Sequence, residues 1–140
     1  MNEQQLFPRA VVTGLIIDAE NRLLLLKSEE WGGRYVIPGG KIRYGERIVD
    51  ALKREIKEET NLTVDEIEFL FIAESIMSAE RREKNHAIYL IHRCKRAGGE
   101  VRLNHESQSF TWASVQEALS LPINSTSRST LEKLIELQIY

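Results

Sequence analysis

Residues 39–62 read GGKIRYGERIVDALKREIKEETNL, and near the end three glutamates, Glu55, Glu58 and Glu59, fall within five residues. The direction these side chains face decides what the chain is built to do. The stretch Glu46 to Thr60 has helical periodicity, and a helix advances about 100° per residue. With Ile48 at zero, Leu52, Ile56, Val49 and Ala51 fall at roughly 40°, 80°, 100° and 300°, which predicts the buried arc. Lys53, Lys57 and Asp50 fall at about 140°, 180° and 200°, on the solvated side. Glu55, Glu58 and Glu59 fall at about 340°, 280° and 20°. The acids therefore share the edge of the apolar arc, and Glu59 lies nearly inside it.

Such a placement is costly for a purely structural helix. Carboxylates at i, i+3 and i+4 repel one another, and partial burial raises the cost. The last turn is also where the helix dipole disfavours negative charge. Two ways of offsetting it stand at this level. One is a hard divalent cation, Mg²⁺ or Mn²⁺, which prefers carboxylate oxygen. The other is a set of ion pairs to Arg54, Lys57 and their neighbours. Pro38-Gly-Gly40 brings bare backbone close to the helix, where carbonyl oxygens can add ligands.

Outward from this helix the chain reads as alternating elements. Ala10–Asp18 and Arg22–Lys27 are strand-like, with the turn signal Asp18-Ala-Glu-Asn21 between them, and read as a hairpin. Tyr35–Ile37 is a short strand between two glycine pairs. Thr63–Ile76 and His86–Cys94 are strands around a charged loop, Ser78–Asn85. Ala97-Gly-Gly99 turns into a strand at Val101–Leu103, and Phe110–Trp112 is another. Ser114 caps a helix through Leu119, and Thr126–Leu137 forms the last helix. This is an α/β pattern, with a sheet between helices.

The chain has 140 residues and a net charge of −2, which fits one domain over 1–140 and gives no general attraction for nucleic acid or membrane. No apolar run approaches bilayer length. The start, MNEQQLFPRA, lacks a basic stretch followed by an apolar one, so no signal peptide is expected. The single cysteine, Cys94, rules out an internal disulfide and reads as a buried structural thiol. A cytoplasmic protein is expected. His86, His92 and His105 are scattered and make no zinc pattern.

Gly40, Glu46 and Arg54-Glu55-Ile56-Lys57-Glu58-Glu59-Thr60-Asn61-Leu62 together resemble the signature of the Nudix hydrolase family. That signature is Gly, five residues, Glu, seven residues, Arg-Glu, an aliphatic, one residue, Glu-Glu, one residue, Gly, an aliphatic. Every defined position matches except Asn61, which stands where the family has Gly. A left-handed C-cap explains the family Gly, and Asn is the next most tolerant residue there.

The resemblance implies a Nudix-type α/β/α sandwich with a central mixed sheet, and metal-dependent hydrolysis of a nucleoside diphosphate linked to another group. By residue-to-residue match, Glu55, Glu58, Glu59 and the Gly40 carbonyl would hold Mg²⁺ (or Mn²⁺). Arg54 would orient one of the glutamates, and Glu46 would be an accessory acid nearly opposite Glu55. Glu58, Glu59 or Glu106 would accept the proton from water. Family members are often dimers, so a homodimer stays open. No stable nucleic-acid partner and no membrane partner are expected.

The tail narrows the substrate. Asn104 to Trp112, with Glu106 six residues before Trp112, looks like a common family segment. Leu121-Pro-Ile-Asn124-Ser-Thr-Ser-Arg128-Ser-Thr-Leu131 resembles the C-terminal end of bacterial Nudix nucleoside triphosphatases that prefer pyrimidine deoxynucleotides. Arg34, Arg81, Asn124 and Arg128 are the candidate substrate contacts, since Arg matches phosphate geometry. Trp31 and Tyr35 are candidates for base stacking or for packing on the sheet. The expected reaction converts a nucleoside triphosphate to a monophosphate and pyrophosphate. The alternatives are hydrolysis of ADP-ribose or a nucleotide sugar, and a non-catalytic nucleotide-binding module. Many ADP-ribose-cleaving members carry a proline about fifteen residues after the signature, and Glu74–Ala79 contains none.

Overall fold

The computed structural model describes residues 7–139. The N-terminal residues 1–6, on which the signal-peptide expectation partly rests, lie outside that range. Its elements are β1 (Arg9–Ile17), β2 (Leu23–Ser28), β3 (Arg34–Val36), β4 (Gly39–Lys41), α1 (Ile48–Thr60), β5 (Thr63–Ile76), β6 (His86–Gly98), β7 (Ser107–Ala113), α2 (Val115–Leu119) and α3 (Ser125–Glu136). The described strands form one sheet in the order β3-β2-β1-β6-β5, with β4 added on β1 and β7 on β2. The β1–β6 pair is parallel and the other pairs are antiparallel. The sheet is therefore mixed, as expected.

Alternation of side chains along the strands gives the sheet two apolar faces. On one, Val12, Ile16, Leu24, Leu26 and Cys94 pack with Leu52 and Ile56 of α1. On the other, Leu15, Leu25, Ile37 and Ile91 pack with Leu131 and Leu134 of α3. This is the α/β/α sandwich. Gly14 makes the α1 contact possible, because a Cβ there would press on the Ile56 and Leu52 methyl groups. Burial pushes the Cys94 thiol up to about 12, which fits a structural thiol. No helix among the described residues is long and apolar enough to cross a membrane.

Four local expectations are corrected. Val101–Leu103 is not a strand; the Arg102 N–H donates to the Thr60 carbonyl at the end of α1, at 2.9 Å. Its neighbours Val101 and Leu103 pack on the α1-side core instead of joining the sheet. Pro38-Gly-Gly40 is not only a turn, because Gly39–Lys41 pairs with β1 in the register Val12 to Gly40. The helix begins at Ile48, so Glu46 precedes it. Ile48 and Val49, expected in the buried arc, are 44% and 42% exposed, whereas Ala51, Leu52 and Ile56 are fully buried. The first turn of α1 thus projects past the part of the sheet that the helix covers.

Candidate active site

The acids of α1 lie where phase arithmetic puts them. Glu59 is 8% exposed, while the Glu55 and Glu58 side chains are 16% and 46% exposed. Glu55 and Glu59 line a cleft of about 500 Å³, and Glu58 is not among its lining residues. The cleft runs from these acids, with Gly39, Gly40 and Lys41, over a floor that includes Val11, Thr13, Tyr89 and Ile91. Its lining also includes Trp31, Arg81, Glu83 and Asn85. Asn85 lies just before Ala87, which pairs with Arg9, whereas Gly40 pairs with Val12, and this marks a far end away from the acids. Glu106 and the first turns of α3 form further walls.

The Gly39-Gly40 backbone shapes the acidic end. The Gly39 N–H donates to Glu59 Oε1 at 3.1 Å. A Cβ on Gly39 would overlap the Val12 carbonyl oxygen, and one on Gly40 would overlap the Glu55 carboxylate. Glycine at 39 lets β4 lie this close to the β1 backbone, and glycine at 40 leaves room for the Glu55 carboxylate of α1 against the strand. The helix then closes on Asn61, which adopts φ 67° and ψ 7° and donates its N–H to Lys57 O. Its side-chain amide donates to Glu100 O at 3.1 Å. The left-handed cap expected of this residue is present.

Arg54 is the hub of the neighbouring charges. Its Nε and Nη2 donate to the two oxygens of Glu46 at 2.7 and 2.9 Å. Nη1 donates to Glu55 at 2.8 Å and, more weakly, to Glu58 at 3.4 Å. Nη2 also donates to the Lys41 carbonyl. Glu46 had been expected nearly opposite Glu55 on the helix. The structure instead places it before the helix and folds it back onto Arg54. The bidentate bond to Arg54, helped by the Arg43 N–H, holds its carboxyl down at about 2.

Glu59 is the reverse case. Burial pushes its carboxyl well above the ordinary range, and the charges of Glu55 and Glu106 push it further. The Gly39 N–H offsets only part of this. Burial also raises Glu55, against the pull of Arg54. Four carboxylates, Glu55, Glu58, Glu59 and Glu106, thus interact electrostatically across the acidic end, and Glu59 has no ion pair among the described residues.

This donor set fits a hard cation: carboxylate oxygens and a glycine backbone in a cleft, with a buried carboxylate whose charge is uncompensated. Among the described residues, no three His, Cys, Asp or Glu side chains already form a finished metal group. The hydrogen bonds explain why. Glu55 keeps one oxygen on Arg54 while it lines the cleft with Glu59, and Glu58, which does not line it, would have to turn away from Arg54 to ligate.

The candidate substrate residues divide. Arg81 and Asn124 line the cleft. Asn124 is 3% exposed and caps α3 through its Oδ1, which accepts from the Ser127 N–H at 3.0 Å. Arg34 and Arg128 are not among the lining residues. Arg34 donates to Trp31 O and pairs with Glu80. Arg128 donates to the Leu119 and Leu121 carbonyls and ties α3 to the preceding turn. Trp31 lines the cleft, and Tyr35 packs on the α3-side core. Sequence reading missed Lys41, Asn85 and Tyr89 as cleft residues. The Tyr89 signal was the register itself, since Tyr89 pairs with Val11 and shares its face of the sheet.

Known proteins match the chain over most of its length. The pattern describing the NUDIX domain matches residues 7–134. The nucleoside triphosphatase NudI of Escherichia coli is 33% identical, with 88% of this chain and 94% of that protein aligned. Among solved structures, a MutT Nudix hydrolase from Burkholderia pseudomallei superimposes with a TM-score of 0.80 at 24% identity, covering 91% of this chain and 98% of that one. The NUDIX domain of Shewanella oneidensis NrtR, solved with ADP ribose, gives 0.77 at 15% identity, covering 94% and 89%.

Proposed function

Because the chain belongs to the Nudix hydrolase family, we propose that it is a Mg²⁺- or Mn²⁺-dependent enzyme that cleaves nucleoside triphosphates to a monophosphate and pyrophosphate. The observation that carries the substrate class is the near full-length similarity to a nucleoside triphosphatase. As a Nudix pyrophosphohydrolase the protein acts on a nucleotide and depends on a divalent cation.

The two ends of the cleft suit the two halves of such a substrate. Glu55, Glu59 and the Gly40 carbonyl would hold the cation, with Glu58 joining them by turning away from Arg54. Bound there, the cation neutralises phosphate charge and lowers the pKa of an attacking water. Lys41, on the same edge, adds positive charge for the phosphates. Arg54 keeps Glu55 in place through a charge-assisted bond and is itself fixed by Glu46. Glu59 and Glu106 are the carboxylates available in the cleft to take the water's proton. At the far end, the Arg81 charge is already engaged by Glu30, and its guanidinium lies over Trp31 at 6.0 Å. Trp31, Tyr89 and Asn85 offer flat surfaces and an amide to an uncharged nucleoside. Asn124 adds a second amide, with its carbonyl side committed to the helix cap.

The test is turnover of a panel of NTPs, dNTPs, ADP-ribose and nucleotide sugars by purified protein with Mg²⁺. The expected result is fastest cleavage of a triphosphate, with pyrophosphate as product. Faster hydrolysis of ADP-ribose than of every triphosphate sinks the substrate assignment.

A further inference from the structure

The loop between β5 and β6 supplies Arg81, Glu83 and Asn85 to the far end of the cleft. One side chain joins it to two other walls. Glu80 Oε1 accepts from both the backbone N–H and the hydroxyl of Ser125, at 2.8 Å each. Ser125 is the first residue of α3, so the carboxylate also sits where the helix dipole favours it. Glu80 Oε2 lies 3.6 Å from Nε of Arg34, the first residue of β3, where the β2–β3 turn ends. Partial burial works against the Glu80 charge, but the Ser125 bonds and Arg34 hold its carboxyl below the usual range. The same loop meets that turn a second time, through the Arg82 N–H to Glu30 O at 2.7 Å and the Arg81–Glu30 pair.

We infer that Glu80 is a positioning residue for the nucleoside end of the cleft. Its carboxylate fixes the loop, the start of α3 and the β2–β3 turn at one spacing. Arg81, Asn85 and Trp31 are thereby held around a nucleoside while the phosphate end is left alone. The contact joins residues 45 apart in sequence, between elements that share no strand pairing. Nothing else among the described residues bonds the loop to α3 through a side chain. This inference rests on the assignment of phosphates to the α1 end and nucleoside to the far end.

The test compares Glu80→Ala, Glu80→Gln and wild type for kcat and KM on the best nucleotide of the panel. It also measures inhibition by inorganic tripolyphosphate, which carries phosphates and no nucleoside. Glu80→Ala is expected to raise KM about tenfold with kcat within about twofold, because uniform binding is lost and chemistry is not. The tripolyphosphate inhibition constant should stay unchanged. Glu80→Gln keeps an acceptor for Ser125 and should restore KM to within about threefold of wild type. If Glu80→Ala does not fold, Glu80→Asp, whose carboxylate is retracted by one methylene, should give the same split. An unchanged KM overturns the inference. So does a parallel rise in KM and in the tripolyphosphate constant, which would mark general loosening. Preferred turnover of another nucleotide by the wild type overturns the substrate reading alone, and the same split on that nucleotide still decides for or against Glu80.

Discussion

Glu46 and Glu59 belong to the same short signature and meet opposite electrostatic surroundings. Glu46 is clamped by both arms of Arg54 and by the Arg43 N–H, and its carboxyl is held at about 2. Glu59 is buried, faces other carboxylates and is pushed well upward. The first is satisfied by the protein itself. The second takes only the Gly39 N–H from the protein, and its charge is left uncompensated. A fold that keeps a buried acid in this condition gives up stability there, a loss that the proposed cation site would account for.

Removing the unsatisfied acid should produce the largest effects, and of two signs. Glu59→Gln keeps an acceptor for the Gly39 N–H and deletes the charge. Activity should fall by at least on the order of 10²-fold, as expected when a group that binds developing charge is lost. The melting temperature without added metal should rise, by roughly 3–6 °C, because a buried unpaired charge is gone. The stabilisation that Mg²⁺ gives the wild type should shrink. Steady-state kinetics and thermal melts with and without Mg²⁺ check all three. A variant that is less stable than wild type in chelator and equally active breaks the contrast.

Gly40→Ala sharpens it from the backbone side. The added Cβ displaces the Glu55 carboxylate, the mobile end of a side chain, and not the backbone. The protein should fold with little loss of stability and lose activity on the order of 10-fold or more. A large drop in melting temperature with activity retained per folded molecule would show that the glycine serves strand pairing alone.

Removing the clamp should have a smaller effect. Arg54→Ala frees Glu46 and leaves Glu55 without its cation. Turnover should fall on the order of 10–100-fold, the range for groups that orient a ligand. Glu46→Gln should cost less, since Arg54 still reaches Glu55.

The two acids also predict opposite slopes of stability with pH. Glu46 has a folded value below its unfolded one, so its contribution is complete above about 4.5 and is lost as pH falls toward 2. Glu59 has a folded value raised above 4.5. Its neutral form is favoured by folding, so its contribution is complete below 4.5 and is lost as pH rises through the folded value. In chelator, Glu59→Gln should therefore flatten the loss of stability toward neutral pH, and Glu46→Gln should flatten the loss toward acid. Melts from pH 3 to 8 on the two variants read this directly. Identical profiles for both would remove the distinction between them.

How much of this could be read beforehand follows the range of the interactions. The buried position of Glu59 followed from helical phase, and the family from fixed spacing, because both are local. Glu46 was misplaced because helical phase was carried two residues past the true start of α1. No residue at the boundary gave a cap signal; Arg47 makes no side-chain cap. The strand at Gly39–Lys41 was hidden because two glycines read as a turn until β1 is laid beside them. Arg34 and Arg128 looked like phosphate ligands because composition cannot say which carbonyl or carboxylate a guanidinium finds first. Glu80 carried no signal at all, since its partners are short polar groups far along the chain.

Asn61 gives the smallest expected effect and tests whether the one departure from the family signature is conservative. Its φ of 67° is free for glycine and costs other residues on the order of 1 kcal/mol. Asn61→Gly removes that cost and also removes the amide bond to Glu100 O, a contact worth about 0.5–1.5 kcal/mol. The two changes oppose, so stability should shift by less than about 1 kcal/mol. Asn61→Ala keeps the strain and loses the bond, so it should destabilise by roughly 1–2 kcal/mol. Neither should alter kcat, because among the described residues the side chain hydrogen-bonds to Glu100 O, and neither residue lines the cleft. Chemical denaturation of the pair measures the difference. A change in kcat for Asn61→Gly would show that the cap sets the angle at which Glu58 and Glu59 leave the helix, and would tie the last turn of α1 to the chemistry of the acidic end.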